Sequence, residues 1–163
     1  HSMRQDSTLR EHIVKLLKES GAHRGPAYAL RQVPEDARGK RPPSLPHSLW
    51  ELLEHMRIAQ RDILDFSRDP GHESPLWPAG YWPSSPAPPS PQAWDESLSR
   101  FTADLNEMVA LVGDPERDLF TPLPWGDGQT LLREALLVGD HNAYHLGQVV
   151  DVRRSLGAWP PTE

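Results

Sequence analysis

Two histidines four residues apart, His141 and His145, have the clearest spacing for metal chemistry in this chain. They lie within residues 130–156, a stretch without proline that reads as one long helix. Side chains at positions i and i+4 lie one above the other on the same helix face, so both imidazoles can point at one spot. Two converging imidazole nitrogens predict a metal site that needs a third protein ligand.

A third histidine, His55, lies in an earlier predicted helix with an apolar stripe formed by Leu49, Leu52, Leu53, Met56 and Ile63. At about 100° per residue, His55 falls roughly 90° from the centre of that stripe. His141 and His145 likewise lie at the edge of a broad apolar face. Three histidines at the edges of two core-facing stripes can meet in a cleft, leaving coordination positions open for water or substrate.

The histidine spacing alone leaves an alternative open, because a His-x3-His pair in a helix can also be two partly buried, hydrogen-bonded histidines. Asn142 stands where a His-Glu-x-x-His protease has its glutamate, so that class is disfavoured. Neutral imidazole suits zinc, nickel, iron and other first-row divalent ions, and the sequence alone does not choose among them.

Composition narrows the other function classes. The 163 residues carry a net charge of -6, which argues against a nucleic-acid-binding protein, and no cysteine, which excludes disulfides, thiolate zinc sites and a cysteine nucleophile. No stretch approaches the roughly 18 apolar residues of a membrane span. No apolar segment near the N-terminus reads as a secretory signal, so the expected location is the cytoplasm. His1 and Ser2 are interpreted as a cloning remnant, and residues 3–163 as one domain.

Four amphipathic helices are predicted, over residues 8 to about 20, 46 to about 68, 91 to about 112, and 130 to about 156. Ser7 or Thr8 is expected to cap the first, and residues 28–32 can form a short helical turn. With no convincing strand, the predicted fold is an all-α four-helix bundle with long proline-rich connecting loops.

The longest of these loops carries eight prolines between Pro70 and Pro91, together with Trp77, Tyr81 and Trp82. A loop of this length in a small domain is usually functional or disordered. Its aromatic residues either form a wall of the site or simply pin the loop to the bundle. Pinning is the favoured reading, and the segment is also our best candidate for part of the wall.

Further polar residues near the histidines have two readings each. Glu134 can be a hydrogen-bond partner of an imidazole or a general base. The favoured interpretation is a carboxylate at the start of the helix that interacts with the helix dipole. Gln148 binds substrate or orients a histidine, or makes an interhelical hydrogen bond. Asp140 and Glu51 can accept hydrogen bonds from the histidines, although solvated charges are the favoured interpretation. Tyr144 can line the cleft, although an ordinary packing role is favoured.

His12, His23 and His72 have no companion at ligand spacing, whereas His47 lies two turns before His55. His47 is assigned to the start of the second long helix rather than to the metal. His12, His23 and His72 are interpreted as surface residues.

Two motifs carry a resemblance to a known family. The segment Asp140-His-Asn-Ala-Tyr-His-Leu-Gly-Gln148 resembles the last helix of DinB-like proteins, and Ser48-Leu-Trp-Glu-Leu-Leu-Glu-His55-Met resembles their second helix. The resemblance implies a four-helix bundle that holds a divalent metal with one histidine from the second helix and two from the last. Matched residue by residue, the ligands are His55, His141 and His145. The favoured metals are zinc and nickel, with iron and manganese as alternatives.

The same resemblance sets the function hypotheses. Characterised relatives include transferases that use low-molecular-weight thiols and a mycothiol-dependent isomerase, and many members are described as metal-dependent hydrolases. We therefore expect a metal-dependent hydrolase or a thiol transferase acting on a small molecule. Its catalytic residues and substrate are not identified. The alternative is a non-catalytic metal-containing bundle that binds a small molecule or a partner, or histidines that are merely structural. No nucleic acid or membrane is expected as a partner, and a homodimer is compatible with an apolar helix face.

Overall fold

The computed structural model describes residues 2–19 and 21–162, and in these the only regular elements are helical. The helices are α1 (Met3–Lys18), α2 (Pro26–Ala29), α3 (Leu49–Arg68), α4 (Pro91–Gly113) and α5 (Leu131–Ser155), with single 3-10 turns at Glu35–Ala37 and Ala79–Tyr81. The predicted all-α fold with four long helices is confirmed. The short α2 overlaps the helical turn expected over residues 28–32, but it starts earlier because Pro26 favours the first helical position.

The starts of α1 and α3 differ from the prediction for a common reason. Ser2 and Gln5 form a capping box, so α1 starts five residues before Thr8. Ser48 and Glu51 form a second capping box, so α3 starts at Leu49 rather than at residue 46. In both cases a serine oxygen accepts the backbone N–H three residues on, and that bond fixes the start irrespective of the apolar stripe. The end predicted for α1 at residue 20 lies outside the described residues.

The long helices pack in a definite order. α3 lies against both α4 and α5, and α1 also packs on α4 and α5. Consecutive long helices are therefore not always neighbours, since α1 packs principally on helices other than α3. The core between them is apolar and includes Leu52, Leu53, Met56, Phe101, Met108, Ala135, Val138 and Val149.

A buried polar ladder ties three helices together beneath the histidines. Asn142 of α5 donates to the side-chain oxygen of Gln60 at 3.0 Å, and Gln60 donates to the Phe101 carbonyl of α4 at 2.9 Å. Satisfied buried polar groups of this kind fix the register of neighbouring helices. Asn142, which replaces the protease glutamate, thus has a packing partner in α3.

Buried Arg153, near the end of α5, fastens the connector between α1 and α3, residues 21–48. Only 1% of Arg153 is exposed, and its guanidinium donates to the carbonyls of Ala29, Arg31, Gln32 and Ala158. Burial lowers the pKa of Arg153 from its ordinary value. One cation therefore satisfies four backbone acceptors that the connector and the C-terminal tail leave free.

None of the helices within the described residues combines the length and the apolar character that crossing a bilayer requires.

Candidate metal centre

The direct packing of α3 on α5 brings the three predicted histidines together. The Nε2 atoms of His55 and His141 are 3.1 Å apart, and one nitrogen from each of His55, His141 and His145 lies within 4.8 Å of the others. His55 and His145 are buried, and His141 is partly exposed. The structure thus places together all three residues that the sequence analysis selects; that they bind a metal stays a prediction.

The nitrogen spacing can be compared with a coordinated ion. Imidazole nitrogens bind zinc at about 2.1 Å, so two of them are about 3.4 Å apart in tetrahedral geometry and never more than about 4.2 Å apart. The His55–His141 pair, at 3.1 Å, is already close to this separation. Because all three nitrogens lie within 4.8 Å of one another, the widest pair exceeds the 4.2 Å limit by at most about 0.6 Å. The donor set, three nitrogens without a thiolate, suits first-row divalent ions.

The second nitrogen of two of the rings is occupied by an acceptor. His55 donates from Nδ1 to the Tyr81 carbonyl at 2.8 Å, and His145 donates from Nδ1 to the Gln148 side-chain oxygen at 2.6 Å. A proton on Nδ1 leaves the Nε2 lone pair free, and this is the arrangement of metal-binding histidines, whose other N–H is held by a carbonyl or carboxylate.

Electrostatics favour the neutral form of all three rings. Burial, followed by the nearby His145 and His55, lowers the pKa of His141 from 6.5 to about 4. Burial also lowers the pKa of His55 and that of His145, against the opposing effects of their Tyr81 and Gln148 hydrogen bonds. A neutral imidazole is the form that can act as a ligand.

Residues 69–90, which connect α3 to α4 and are called the strap below, form one wall of the site. The indole of Trp82 stacks on the His55 ring with centroids 3.8 Å apart and planes at 3°. It also stacks on the His47 ring at 4.3 Å and stands edge-on to His145 at 6.3 Å. Trp77 is 75% exposed and does not share this role. The strap is therefore both pinned by aromatic residues and part of the wall, two readings that the sequence analysis treated as alternatives.

The strap is fastened to α3 at two points. Near its start, Asp62 accepts hydrogen bonds from the Tyr81 hydroxyl at 2.6 Å and from His72 Nε2 at 2.7 Å. Near its end, Ser48 donates from its hydroxyl to the Pro86 carbonyl. The interpretation of His72 as a surface residue is therefore wrong, because its ring is largely buried against the Asp62 carboxylate. The search for histidines at metal-ligand spacing did not consider carboxylates.

The structure also tests the interpretations of the polar residues near the histidines. Gln148 orients His145, as one of its two readings predicts. Glu51 is buried and paired with Arg41, which lowers its pKa, so the favoured reading as a solvated charge is wrong. Glu134 lies in the first turn of α5 as expected, but it is buried and accepts a hydrogen bond from Arg133.

Among the remaining candidates, Asp140 is exposed, in line with a solvated charge, and so is His12. His47 directly precedes the N-cap of α3, the place assigned to it.

The open side of the site is next to Tyr144. This side chain is 67% exposed, and its ring stands edge-on to His145 with centroids 5.0 Å apart, so the favoured expectation of ordinary packing is wrong. A small cavity of about 60 Å³, lined in part by His47 and Gln148, adjoins the site. Larger cavities of about 390 and 1030 Å³ lie elsewhere on the bundle and include none of the three histidines. Cavity size therefore does not mark the site; the convergence of nitrogens does.

Two features of the site were missed by sequence reasoning. Asp62 lies seven residues after His55, two turns along the same face of α3, and that spacing was a usable signal. The Tyr81 carbonyl carried no signal, because any residue offers a carbonyl and only the path of the strap selects this one.

The chain was compared with protein families, curated proteins and solved structures. A family model described as the DinB superfamily matches residues 27–149, more than half of the chain, and this range includes all three histidines. No curated protein and no solved structure matches the chain.

Proposed function

The chain belongs to the DinB superfamily, and from this membership and the histidine geometry we propose that it binds a divalent metal ion through His55, His141 and His145. We further propose that the bound ion activates a nucleophile, in a hydrolase or a low-molecular-weight-thiol transferase acting on a small molecule. The observation that carries the proposal is that the histidine nitrogens converge while two of the rings, His55 and His145, already have their Nδ1 protons held by hydrogen bonds.

Zinc and nickel are the favoured metals, with iron and manganese as alternatives, because the donors are neutral imidazoles alone. When bound with open coordination positions, such an ion lowers the pKa of water or of a thiol and polarises a carbonyl. The chain has no cysteine, so a thiol nucleophile must come with the substrate.

The residues around the histidines have distinct tasks in this proposal. Tyr81 and Gln148 keep the protons of His55 and His145 on Nδ1. With the His55 proton on Nδ1, His55 Nε2 accepts from His141 Nε2. Binding through both Nε2 atoms would require the His141 proton to move to Nδ1, whereas binding through His141 Nδ1 would not. Trp82 covers one face of His55, and the exposed Tyr144 borders the side from which a substrate can approach.

Metal content tests the first part of the proposal. Protein without a histidine tag is loaded with zinc or nickel, dialysed, and analysed for metal beside His55→Ala and His145→Ala. The matched control is His12→Ala, which removes an exposed histidine from α1. We expect about one ion per chain in the wild type and in the control, and little in the two site variants. Equal metal in all four proteins would refute the metal site and leave the histidines as structural residues.

Activity tests the second part. Metal-loaded wild type is assayed for ester hydrolysis, amide hydrolysis and thiol conjugation with a low-molecular-weight thiol, again beside His145→Ala and His12→Ala. A rate that is lost in His145→Ala and kept in His12→Ala supports an enzyme. If loaded protein accelerates none of these reactions, the non-catalytic alternative, a metal-containing bundle that binds a small molecule or a partner, replaces it.

A further inference from the structure

A second set of side chains, two helical turns from His55, is engaged by the same strap. Asp62, His72 and Tyr81 form a cluster in which both carboxylate oxygens of Asp62 are used, one by the Tyr81 hydroxyl and one by His72 Nε2. The side chains of Asp62 and His72 are each only 15% exposed. Nothing in the metal-binding proposal itself requires this cluster.

Tyr81 links the cluster to the metal site through its two ends. Its hydroxyl bonds Asp62, and its backbone carbonyl accepts the Nδ1 proton of His55 at 2.8 Å. Asp62 and His55 are seven residues apart on α3, a distance of about 10.5 Å along the helix axis at 1.5 Å per residue. One tyrosine therefore bridges two turns of the helix, with its side chain at one turn and its backbone at the other.

The strap continues from Tyr81 in the same direction along α3. Trp82, the next residue, stacks on His55 and on His47, and Pro86 accepts the hydroxyl of Ser48. The strap thus runs back from the C-terminal half of α3 towards its N-terminus. Fixing Tyr81 at Asp62 sets where this run begins, and hence where the carbonyl and the indole meet the His55 ring.

The phenol of Tyr81 is held as a donor. Its hydroxyl lies 2.6 Å from an oxygen of Asp62, and an ionised carboxylate can only accept, so the phenol is the donor. His72 supplies the second donor to the same carboxylate. Two donors on one carboxylate make a fixed, charge-assisted anchor.

We propose that Asp62 is a positioning residue for the metal ligand His55, acting through Tyr81, whose hydroxyl it holds and whose carbonyl orients the His55 ring. The inference rests on the proposed metal function. It adds to that function a residue that does not touch the metal yet sets the affinity of the site. Loss of a group that orients a ligand typically weakens metal binding about 10- to 100-fold.

Metal affinity tests the proposal through two variants and a matched control. Asp62→Asn offers one acceptor oxygen to two donors, and Tyr81→Phe removes the hydroxyl but keeps the ring and the carbonyl. Asp65→Asn removes the same charge from the same helix, but Asp65 pairs with Arg61 and Arg68 rather than with the strap. In a competition titration of zinc with a chromophoric chelator, we expect Kd to rise about 10-fold in the first two and less than about 2-fold in the control.

The double variant separates a positioning role from general destabilisation. If Asp62 acts through Tyr81, the Asp62→Asn/Tyr81→Phe protein binds zinc no more weakly than Asp62→Asn alone, because the second change removes a bond already broken. Fully additive losses, or a Kd for Asp62→Asn equal to that of Asp65→Asn, would overturn the proposal.

A second measurement works without metal and keeps the two proposals distinguishable. In metal-free protein the His55 Nδ1 proton, observed by NMR with labelled histidine, should be protected in wild type and in Asp65→Asn, and should exchange rapidly in Asp62→Asn and Tyr81→Phe. If wild type binds no more zinc than His55→Ala, the metal function fails while this proton still reports on the anchor. Equal protection in all four proteins refutes the anchor even where zinc binds.

Discussion

The two proline-rich connectors of this bundle, residues 21–48 and the strap, both give side-chain donors to a carboxylate of α3, Arg41 to Glu51 in the first and Tyr81 and His72 to Asp62 in the second. They differ in how their backbone carbonyls are used. The first offers its backbone carbonyls to the buried cation of Arg153. The strap offers the carbonyls of Tyr81 and Pro86 singly, to the His55 ring and to the Ser48 hydroxyl. In the first connector these carbonyls fasten the segment to α5, whereas in the strap the Tyr81 carbonyl orients the His55 ring. The use of the carbonyls, more than the proline content, separates the structural connector from the one that serves the site.

The largest effect should come from the cation that holds the first connector. Arg153→Met leaves four carbonyls without their donor, and at about 1 kcal/mol or slightly less per net hydrogen bond we expect a loss of about 3 kcal/mol in the free energy of unfolding. Arg154→Met removes an exposed neighbour paired with Asp151 at 3.7 Å and should cost less than about 0.5 kcal/mol. Urea denaturation measures both. Zinc affinity of the folded Arg153 variant should equal that of wild type, and a drop there would contradict the separation of the two connectors.

Acid should act on the histidine end and leave the Arg153 end unchanged. The folded-state pKa of His141 is about 4, against 6.5 ordinarily, so between these values the unfolded chain binds a proton that the folded chain refuses. Stability contributed by neutral His141 is therefore complete above pH 6.5 and is lost as the pH falls towards 4. With a chelator present, the urea midpoint of wild type should fall between pH 7 and 5 more steeply than that of His141→Gln. His12→Gln serves as the control and should follow wild type; identical slopes in all three would contradict the burial effect.

A smaller effect is expected from the indole between the two histidines. Trp82→Leu keeps an apolar side chain but removes the stack on His55, and such aromatic pairs contribute about 0.5–1.5 kcal/mol beyond area burial. We expect the zinc Kd to rise about 3- to 10-fold. Leu76→Ala changes an exposed apolar side chain of the same strap and should leave Kd unaltered. Equal effects of the two substitutions would show that the strap acts through bulk alone.

The smallest effect concerns Ser48, where the two connectors meet. Its oxygen caps α3 through the Glu51 N–H, and its hydroxyl also holds Pro86 of the strap. Ser90→Ala, at the last residue of the strap, removes a serine N-cap from α4 and should cost about 1 kcal/mol. Ser48→Ala should cost about 0.5 kcal/mol more, because one further hydrogen bond is lost. Thermal unfolding of the two variants side by side measures the difference, and equal costs would mean that the Pro86 bond contributes nothing.

Residues governed by helical periodicity could be predicted from the sequence. The i, i+4 spacing of His141 and His145 and the stripe beside His55 were sufficient to select three residues that the structure brings together. The same is true of the four long helices, whose ends are marked by proline and glycine; Gly157, for example, adopts a positive φ of 71° just after α5.

Contacts that join distant segments could not be predicted in this way. Arg153 lies at the end of α5 among other charged residues, and nothing in its local sequence indicates that it satisfies carbonyls more than 100 residues away. The local sequence around Tyr81 likewise does not indicate that its carbonyl binds His55. Ser2 was set aside as a cloning remnant, so the capping box that starts α1 could not be considered. Backbone acceptors and long flexible side chains have no periodicity to read, and their partners depend on the path of the chain.

The strap also divides into fixed and free parts. Its anchors are at residues 72, 81, 82 and 86, whereas Leu76 and Trp77, between the first two, are 85% and 75% exposed. Exposed loop tips accept insertions and replacements when the backbone on either side stays bonded. The Leu76 side chain can therefore be exchanged while the neighbouring anchors hold the histidine in place. The backbone itself is bonded, because the carbonyls of Leu76 and Pro78 accept from Gly80 and Tyr81. For protein engineering, this is a position where the surface near the proposed metal site can be varied independently of the proposed ligands.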